Sequence, residues 1–331
     1  MQPSEPWDAV IIGGGIAGLS AAIYVARAKR RALVIDNGKS LAKWAADVEN
    51  YLGFPRGIAG DDLLARGRKQ AQHFGAEFTE DCIEELRRAP SNLFHAVGQH
   101  AVYETRRVLL ATGLYHLPPD IPGVRDCLGH SLFFCKDCDG HRCRGKRIGI
   151  FGWNNEAVEY ALGMLLYSPC VFIFQNGLEP RWSAQHGEWL REYEIPVYAQ
   201  PVLDLHHKRG DVEWLEMEGG VRVELDALFT TRGDIYHNKL AHQLGANTHD
   251  SEVLVNETME TTVRGLYAAG CVTPANCQMI IAAGEGAKAG QAINRSLFEE
   301  SLQTHSLRRF RAEQIERCET EPPVEAVNDA K

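Results

Sequence analysis

The segment Phe133-Phe134-Cys135-Lys136-Asp137-Cys138-Asp139-Gly140 holds two cysteines separated by two residues. That spacing allows a small disulfide ring. It can also lower the pKa of one thiol, giving a nucleophile usable near neutral pH. Asp139 follows directly, where a carboxyl can move a proton to or from a leaving thiolate. Two other readings use the same residues. His141 and Cys143 would complete a four-ligand metal set, and the cysteines could be reduced core thiols. Structural zinc sites usually draw their second ligand pair from further along the chain. The redox pair is therefore the reading adopted, and no metal ligands are assigned.

Chemistry of this kind needs an electron carrier, and two stretches have the form of a nucleotide site. The strand Ala9–Ile12 runs into Gly13-Gly14-Gly15-Ile16-Ala17-Gly18, then a helical stretch Leu19–Ala28, then the strand Ala32–Ile35 ending in Asp36. Gly13 permits a tight turn, Gly15 lets backbone N–H groups approach a pyrophosphate, and Gly18 lets helix and strand pack closely. The helix N-terminus adds partial positive charge. Asp36 can accept from ribose hydroxyls, which suits FAD or NAD and disfavours NADP. A second unit starts at Arg147, with strand Ile148–Phe151, a turn at Gly152, helix Glu156–Tyr167 and strand Val171–Phe174.

Strand ends of matching form, Val108–Gly113 and Gly265–Gly270, flank the second unit, and the later one leads to an alanine-rich helix, Ile280–Ser296. The expected fold is α/β, with two Rossmann-like three-layer domains, the second inserted into the first. Residues 1–118 and 248–318 form the outer domain and 119–247 the central one, with linkers at Asp120–Gly123 and Thr248–Asp250. The acidic, Pro-containing stretch 319–331 reads as a disordered tail. A net charge of −9 argues against nucleic acid and acidic membranes as partners, and no apolar run reaches membrane-span length. There is no secretory signal at Met1–Asp8, and the nine scattered cysteines suit a reducing cytoplasm.

Taken together, these motifs resemble the low-molecular-weight thioredoxin reductases from about Ala9 to Leu297. Gly13–Tyr24 resembles the FAD fingerprint of that family, and Val48-Glu49-Asn50-Tyr51-Leu52-Gly53-Phe54-Pro55 resembles its segment beside the flavin. Cys135–Gly140 has the Cys-x-x-Cys-Asp-Gly pattern just ahead of the second nucleotide unit. Gly265–Gly270, Gln278, Ala283-Gly284 and Gly286 resemble the closing FAD segment. The resemblance implies a homodimer holding FAD through Gly13, Gly15, Gly18, Asp36, Asn50, Ala111, Gly113, Gly270, Cys271, Gln278 and Met279. It implies that Cys138 faces the flavin, that Cys135 exchanges with the protein substrate, and that Asp139 is the acid/base. It also implies a swing between the domains that shows the cysteines alternately to flavin and to partner.

The second unit departs from the family pattern. Its turn reads Gly152-Trp153-Asn154-Asn155-Glu156-Ala157, with Asn154 where a glycine admits the pyrophosphate. Gln175-Asn176-Gly177 stands where the family carries His-Arg-Arg for the 2′-phosphate of NADPH, and no acid is there for an NAD ribose. Losing such contacts costs several kcal/mol, at about 1.5–3 for each charge-assisted bond. In the flavin segments, Cys271 replaces an Asp that bonds the ribityl chain and Cys277 replaces an Arg. The usual Gly-Gly-Gln-Leu ahead of Val48 is missing, and Trp44 near that place is either a stacking partner of the flavin ring or core.

The expectation is a thioredoxin-reductase-like FAD enzyme that reduces thioredoxin or a similar small dithiol protein. NADPH is doubtful as donor, and ferredoxin or another reduced carrier takes its place. Three alternatives stand beside it. One is an ordinary NADPH enzyme whose pocket is rebuilt by Arg181, Arg144 or Lys146. Another is a flavin-dependent dithiol oxidase. The third is a metal-binding or adaptor protein on this scaffold.

Overall fold

The computed structural model describes residues 5–320. In chain order the first segment comprises β1 (Trp7–Ile12), α1 (Ile16–Arg27), β2 (Ala32–Asp36), α2 (Gly60–His73), β3 (Glu77–Glu80), β4 (Ile83–Arg88), β5 (Phe94–Gly98) and β6 (Val102–Leu110). Then follow β7 (Leu114–His116), β8 (Leu132–Phe133), α3 (Lys136–Asp139), β9 (Ile148–Phe151), α4 (Asn155–Met164), β10 (Val171–Phe174), α5 (Ala184–Glu192), β11 (Val197–Tyr198), β12 (Val202–Lys208), β13 (Asp211–Met217), β14 (Val221–Glu224), β15 (Ala227–Thr230) and β16 (Asp234–Tyr236). The chain closes with α6 (Lys239–Gln243), β17 (Thr248–His249), β18 (Glu252–Val253), β19 (Leu266–Ala268), α7 (Met279–Gln303) and α8 (Ser306–Thr320).

Two sheets carry the fold, the first parallel apart from its antiparallel β4-β5-β6 edge and the second parallel throughout. The first runs β3-β2-β1-β6-β5-β4. Its β6 is shared: residues 102–105 pair antiparallel with β5 and residues 108–110 pair parallel with β19. Strands β1, β2 and β19 are apolar almost throughout, the composition of a sheet covered on both faces. The second sheet runs β11-β10-β9-β15-β8 and is parallel throughout. An antiparallel meander β12-β13-β14 buries Leu205, Leu215 and Met217 against its flank.

Helices α1 and α7 pack face to face through small residues. A Cβ on Gly286 would come within 2.1 Å of the Ala17 carbonyl oxygen, so only glycine allows this approach. Helix α1 starts at Ile16, three residues earlier than the hydrophobic pattern suggests, and takes Gly18 inside it. Helix α4 ends at Met164, and α7 continues to Gln303, seven residues past the expected end. The tail expected from Glu319 is helical through Thr320 in α8, and its remainder lies outside the described residues.

The chain crosses between the sheets twice, and the two crossings pair as the antiparallel ladder β7–β16, with Tyr115 opposite Ile235. Leu240, Ala241 and Ala246, just before the expected linker at Thr248–Asp250, already pack in the core of the first sheet. We therefore propose the β7–β16 ladder as the boundary of the central domain. No helix among the described residues is long and apolar enough to cross a membrane.

Candidate active site

Cys135 and Cys138 are joined in a disulfide, with Cα atoms 5.3 Å apart. Cys135 ends an extended segment after β8 and caps the single turn of α3. The Cys138 N–H donates to the Cys135 sulfur at 3.1 Å, and the Asp139 N–H donates to the Cys135 carbonyl at 3.1 Å. The short helix thus brings residues three apart into bonding range. The residues of the alternative metal reading are engaged elsewhere. His141 pairs with Glu49 at 2.7 Å, and the Cys143 sulfur is buried against the Asp139 carbonyl. Burial pushes the Cys143 thiol up to about 11, which leaves it protonated and inert at neutral pH. Burial also raises the Asp139 carboxyl, against the pull of the Arg142 guanidinium 3.5 Å away. An acid held up in this way keeps a proton to give closer to neutrality than a solvated Asp does.

The disulfide faces a cavity of about 570 Å³ between the two sheets. Gly13, Gly15, Asp36, Asn50, Ala111, Gly113, Gly270, Cys271, Gln278 and Met279 line it together with Cys135, Cys138 and Asp139. Of the residues assigned to FAD or to catalysis from the sequence, only Gly18 lies off its wall. Gly18 works from behind, because a Cβ there would sit 1.9 Å from the Gly13 carbonyl oxygen. The Gly14 N–H donates to Asp36 at 3.2 Å, which ties the acid to the turn.

Gln278 connects the cavity wall to the sulfurs. Its side-chain N–H groups donate to Cys138 at 3.1 Å and Cys135 at 3.3 Å, and its carbonyl oxygen accepts from Asn50 at 2.9 Å. Trp44 packs edge-on to Tyr115 and tilted against Phe134, at the junction of the two sheets. The resemblance picked out Gln278 as a cofactor residue, but its contact with the sulfurs is visible only in three dimensions.

The cavity fits a flavin dinucleotide. Gly15 is the N-cap of α1 and provides no side-chain cap, so the first N–H groups of that helix keep no side-chain partner. A Cβ on Gly15 would meet only the Ser40 hydroxyl, at 3.4 Å, so the approach to this helix end is open. Asp36, Asn50 and Gln278 lie around the same space and supply polar contacts along an elongated ligand.

The second turn is built differently. Asn154 caps α4, its side-chain oxygen accepting from the Ala157 N–H at 3.0 Å and from the Thr231 hydroxyl at 3.4 Å. The following loop lies across this end. The Arg181 N–H donates to the Trp153 carbonyl at 2.6 Å, and the Ser183 N–H donates to the Asn155 side chain at 2.7 Å. Gln175 is buried, the Asn176 side chain accepts from the Val202 N–H at 2.7 Å, and the Gly177 N–H bonds Ala199. Arg181, Arg144 and Lys146 are exposed.

A second disulfide, Cys271–Cys277, also lines the cavity. The sequence reading placed Cys271 at the cofactor and marked Cys277 as a departure, without joining them. The available signal was that two departures from the family pattern, six residues apart, both introduce cysteine.

The family description "Pyridine nucleotide-disulphide oxidoreductase" matches residues 7–289, and the chain belongs to that family. Thioredoxin reductase from Bacillus subtilis is 28% identical over 316 residues, covering 92% of this chain and 99% of the relative. Among solved structures, HlmI superposes with a TM-score of 0.86 at 28% identity, covering 94% of this chain and 99% of that one. The atypical thioredoxin reductase TRi from Desulfovibrio vulgaris Hildenborough is 32% identical, with 90% and 99% coverage and a TM-score of 0.51. Within the family, then, the chain is a thioredoxin-reductase-like flavoprotein disulfide oxidoreductase with a Cys135–Cys138 disulfide, from a group of enzymes that use FAD.

Proposed function

We propose that this enzyme holds FAD in the Gly13–Gly18 site and reduces thioredoxin or a similar small dithiol protein through Cys135 and Cys138. We further propose that its electrons come from ferredoxin or another reduced carrier and not from NADPH. The observation that carries this reading is the contrast between an open first turn, sharing a cavity with the disulfide, and a second turn filled by Asn154.

Bound in that cavity, FAD supplies two-electron reduction of the disulfide. Once reduced, Cys135 attacks the disulfide of the partner, forming a mixed disulfide and releasing one partner thiolate. Cys138 then attacks the Cys135 sulfur, which restores the ring and frees the second partner thiol. Asp139 holds the proton that the leaving thiolate takes up, helped by its raised pKa. The N–H groups of Gln278 favour negative charge developing on either sulfur.

The β7–β16 ladder gives the two halves a narrow connection on which to reorient. The TM-score falls from 0.86 for HlmI to 0.51 for TRi while the identity rises from 28% to 32% and coverage stays high. Related halves set at different angles account for that combination. The reading also takes the enzyme as a cytoplasmic homodimer, on its resemblance to the thioredoxin reductases.

Anaerobic mixing tests the donor. Reduced ferredoxin is expected to bleach the flavin absorbance, whereas NADH, or NADPH at ~100 µM, within the usual range of enzyme KM values, leaves it oxidised. Bleaching by NADPH at catalytic rates would overturn the donor assignment. Disulfide reductase activity in the Cys135→Ser, Cys138→Ser double variant would overturn the site.

A further inference from the structure

We propose that Cys271–Cys277 is a second redox-active disulfide, which exchanges electrons with the Cys135–Cys138 pair. The inference rests on the reading of Cys135 and Cys138 as a redox pair.

Location is the first argument. The two disulfides come from different parts of the fold, one from the start of α3 and one from the loop between β19 and α7, yet both line the same cavity. Cys82, Cys127, Cys143 and Cys170 remain free thiols, and Cys170 is exposed. Among the described residues, cysteine pairing is therefore confined to the walls of the redox cavity. A protein stapled by an oxidising compartment distributes its bridges over the fold instead.

Connection is the second argument. Gln278 follows Cys277 directly and donates to both sulfurs of the other pair, at 3.1 and 3.3 Å. One peptide bond and one side chain therefore link the two disulfides. Accessibility is the third. Both Cys271 and Cys277 are partly exposed on the cavity wall, unlike the buried Cys127 and Cys143. A structural role gains little here, because a bridge closing a loop of a few residues removes less chain entropy than one closing a long loop.

The exchange balances as a two-electron, two-proton transfer. The thiolate of Cys138 attacks the Cys277 sulfur, so that a Cys138–Cys277 bond forms and the Cys271–Cys277 bond breaks. The electron pair leaves on Cys271, which takes a proton. Cys135 loses its proton and attacks Cys138, re-forming the first disulfide and expelling Cys277, which is protonated in turn. The first pair ends oxidised and the second reduced, so the chain stores a further pair of electrons beside the site of partner reduction.

The test uses the holoenzyme under anaerobic conditions, titrated with dithionite, quenched with N-ethylmaleimide and mapped by peptide mass spectrometry. The wild type is expected to take up about two more electrons per chain than the Cys271→Ser, Cys277→Ser variant, since each disulfide accepts two. Cys271 and Cys277 should become labelled together with Cys135 and Cys138. In the Cys135→Ser, Cys138→Ser variant, labelling of Cys271 and Cys277 should slow about tenfold or more, because the exchanging thiolate is gone. In a Cys135→Ser variant, which keeps the Cys271–Cys277 bond but lacks the resolving thiol, Cys138 should accumulate in a bond to Cys277, with Cys271 released and labelled. The proposal is overturned if Cys271 and Cys277 stay bonded after Cys135 and Cys138 are fully labelled. It is equally overturned if their labelling rate does not depend on Cys135 and Cys138. If Cys135 and Cys138 themselves resist reduction, the proposed function fails first, and the labelling pattern distinguishes that case. The wild-type labelling and the trapping variant decide the matter even if the Cys271→Ser, Cys277→Ser variant does not fold.

Discussion

The chain builds the strand–turn–helix unit twice and leaves opposite ends on the two copies. At the β1–α1 turn Gly15 provides no side chain, and the helix end faces the cavity with its N–H groups available. At the β9–α4 turn Asn154 supplies its own oxygen to the Ala157 N–H, the kind of group an incoming phosphate would otherwise use. The loop at Arg181–Ser183 then fastens onto Trp153 and Asn155. One helix end is left for a ligand and the other is satisfied by the protein. Capping a helix and binding a phosphate compete for the same donors, so the side-chain cap at the second turn supports the proposed loss of a nucleotide there.

The strongest way to break this comparison is to make the first turn like the second. A Cβ on Gly15 meets only a side-chain hydroxyl, and the backbone there is extended, so Gly15→Asn should fold. Its side chain would then cap α1 and stand in the path of the pyrophosphate. Losing two or more charge-assisted contacts, at about 1.5–3 kcal/mol each, lowers FAD affinity by at least about 100-fold. The purified variant should be colourless, with an unchanged far-ultraviolet circular dichroism spectrum. A yellow variant with stoichiometric FAD would show that side-chain capping does not decide ligand binding at these turns.

The reverse exchange gives a smaller effect. Asn154→Ala removes the cap of α4 and should cost about 1 kcal/mol of stability, whereas Asn154→Gly should cost only a few tenths. Denaturant titration separates the two. Neither variant should gain reduction by NADPH, because Gln175, Asn176 and Gly177 remain committed to the protein's own backbone. If Asn154→Gly alone makes NADPH an efficient donor, the second site is intact apart from one residue, and the contrast between the turns is shallow.

Most of the fold was legible in the sequence, because parallel strands buried on both faces are continuous apolar runs and glycines punctuate the turns. Gly13, Gly15 and Asp36 declared the first site, since strand, turn, helix and acid follow one another within a single short segment. The spacing of Cys135 and Cys138 allowed a redox pair beside the metal and core-thiol readings, and the Cys-x-x-Cys-Asp-Gly resemblance assigned their roles. What stayed hidden depends on distance across the chain. The partner of Cys271 is six residues away, but their pairing follows from how the β19–α7 loop folds back, which no periodicity records. The contact of Gln278 with Cys135 and Cys138 spans about 140 residues. Likewise the loss of glycine at Asn154 was visible, whereas its capping of Ala157 and the loop laid over it were not. The early start of α1 escaped because the glycine motif Gly13–Gly18 reads as one turn with the helix beginning after it at Leu19, while in the structure the helix begins inside the motif at Ile16 and Gly18 lets its first turn press against Gly13.

The mildest test concerns charge at the two helix ends. The first turn of α1 has no acid, whereas α4 carries Glu156 in its first turn. Desolvation raises the Glu156 carboxyl, and Asp234 and Glu159 push it further, against a smaller opposing pull from His116. The sign follows from linkage. A carboxyl whose folded pKa lies above its unfolded value binds protons more readily in the native state. Its ionisation therefore subtracts from stability above the ordinary carboxylate range, and this loss is recovered as pH falls through the folded value. Glu156→Gln should raise the Tm slightly at pH 7, and the gain should shrink towards zero as the pH is lowered below the carboxylate range. The same charge stands where an incoming phosphate would approach α4, so the variant also removes one repulsion that an anion would meet there. A Tm that falls on substitution at pH 7 would mean that the carboxylate stabilises α4 through the helix dipole, and that the second turn is closed by its cap and loop without help from charge.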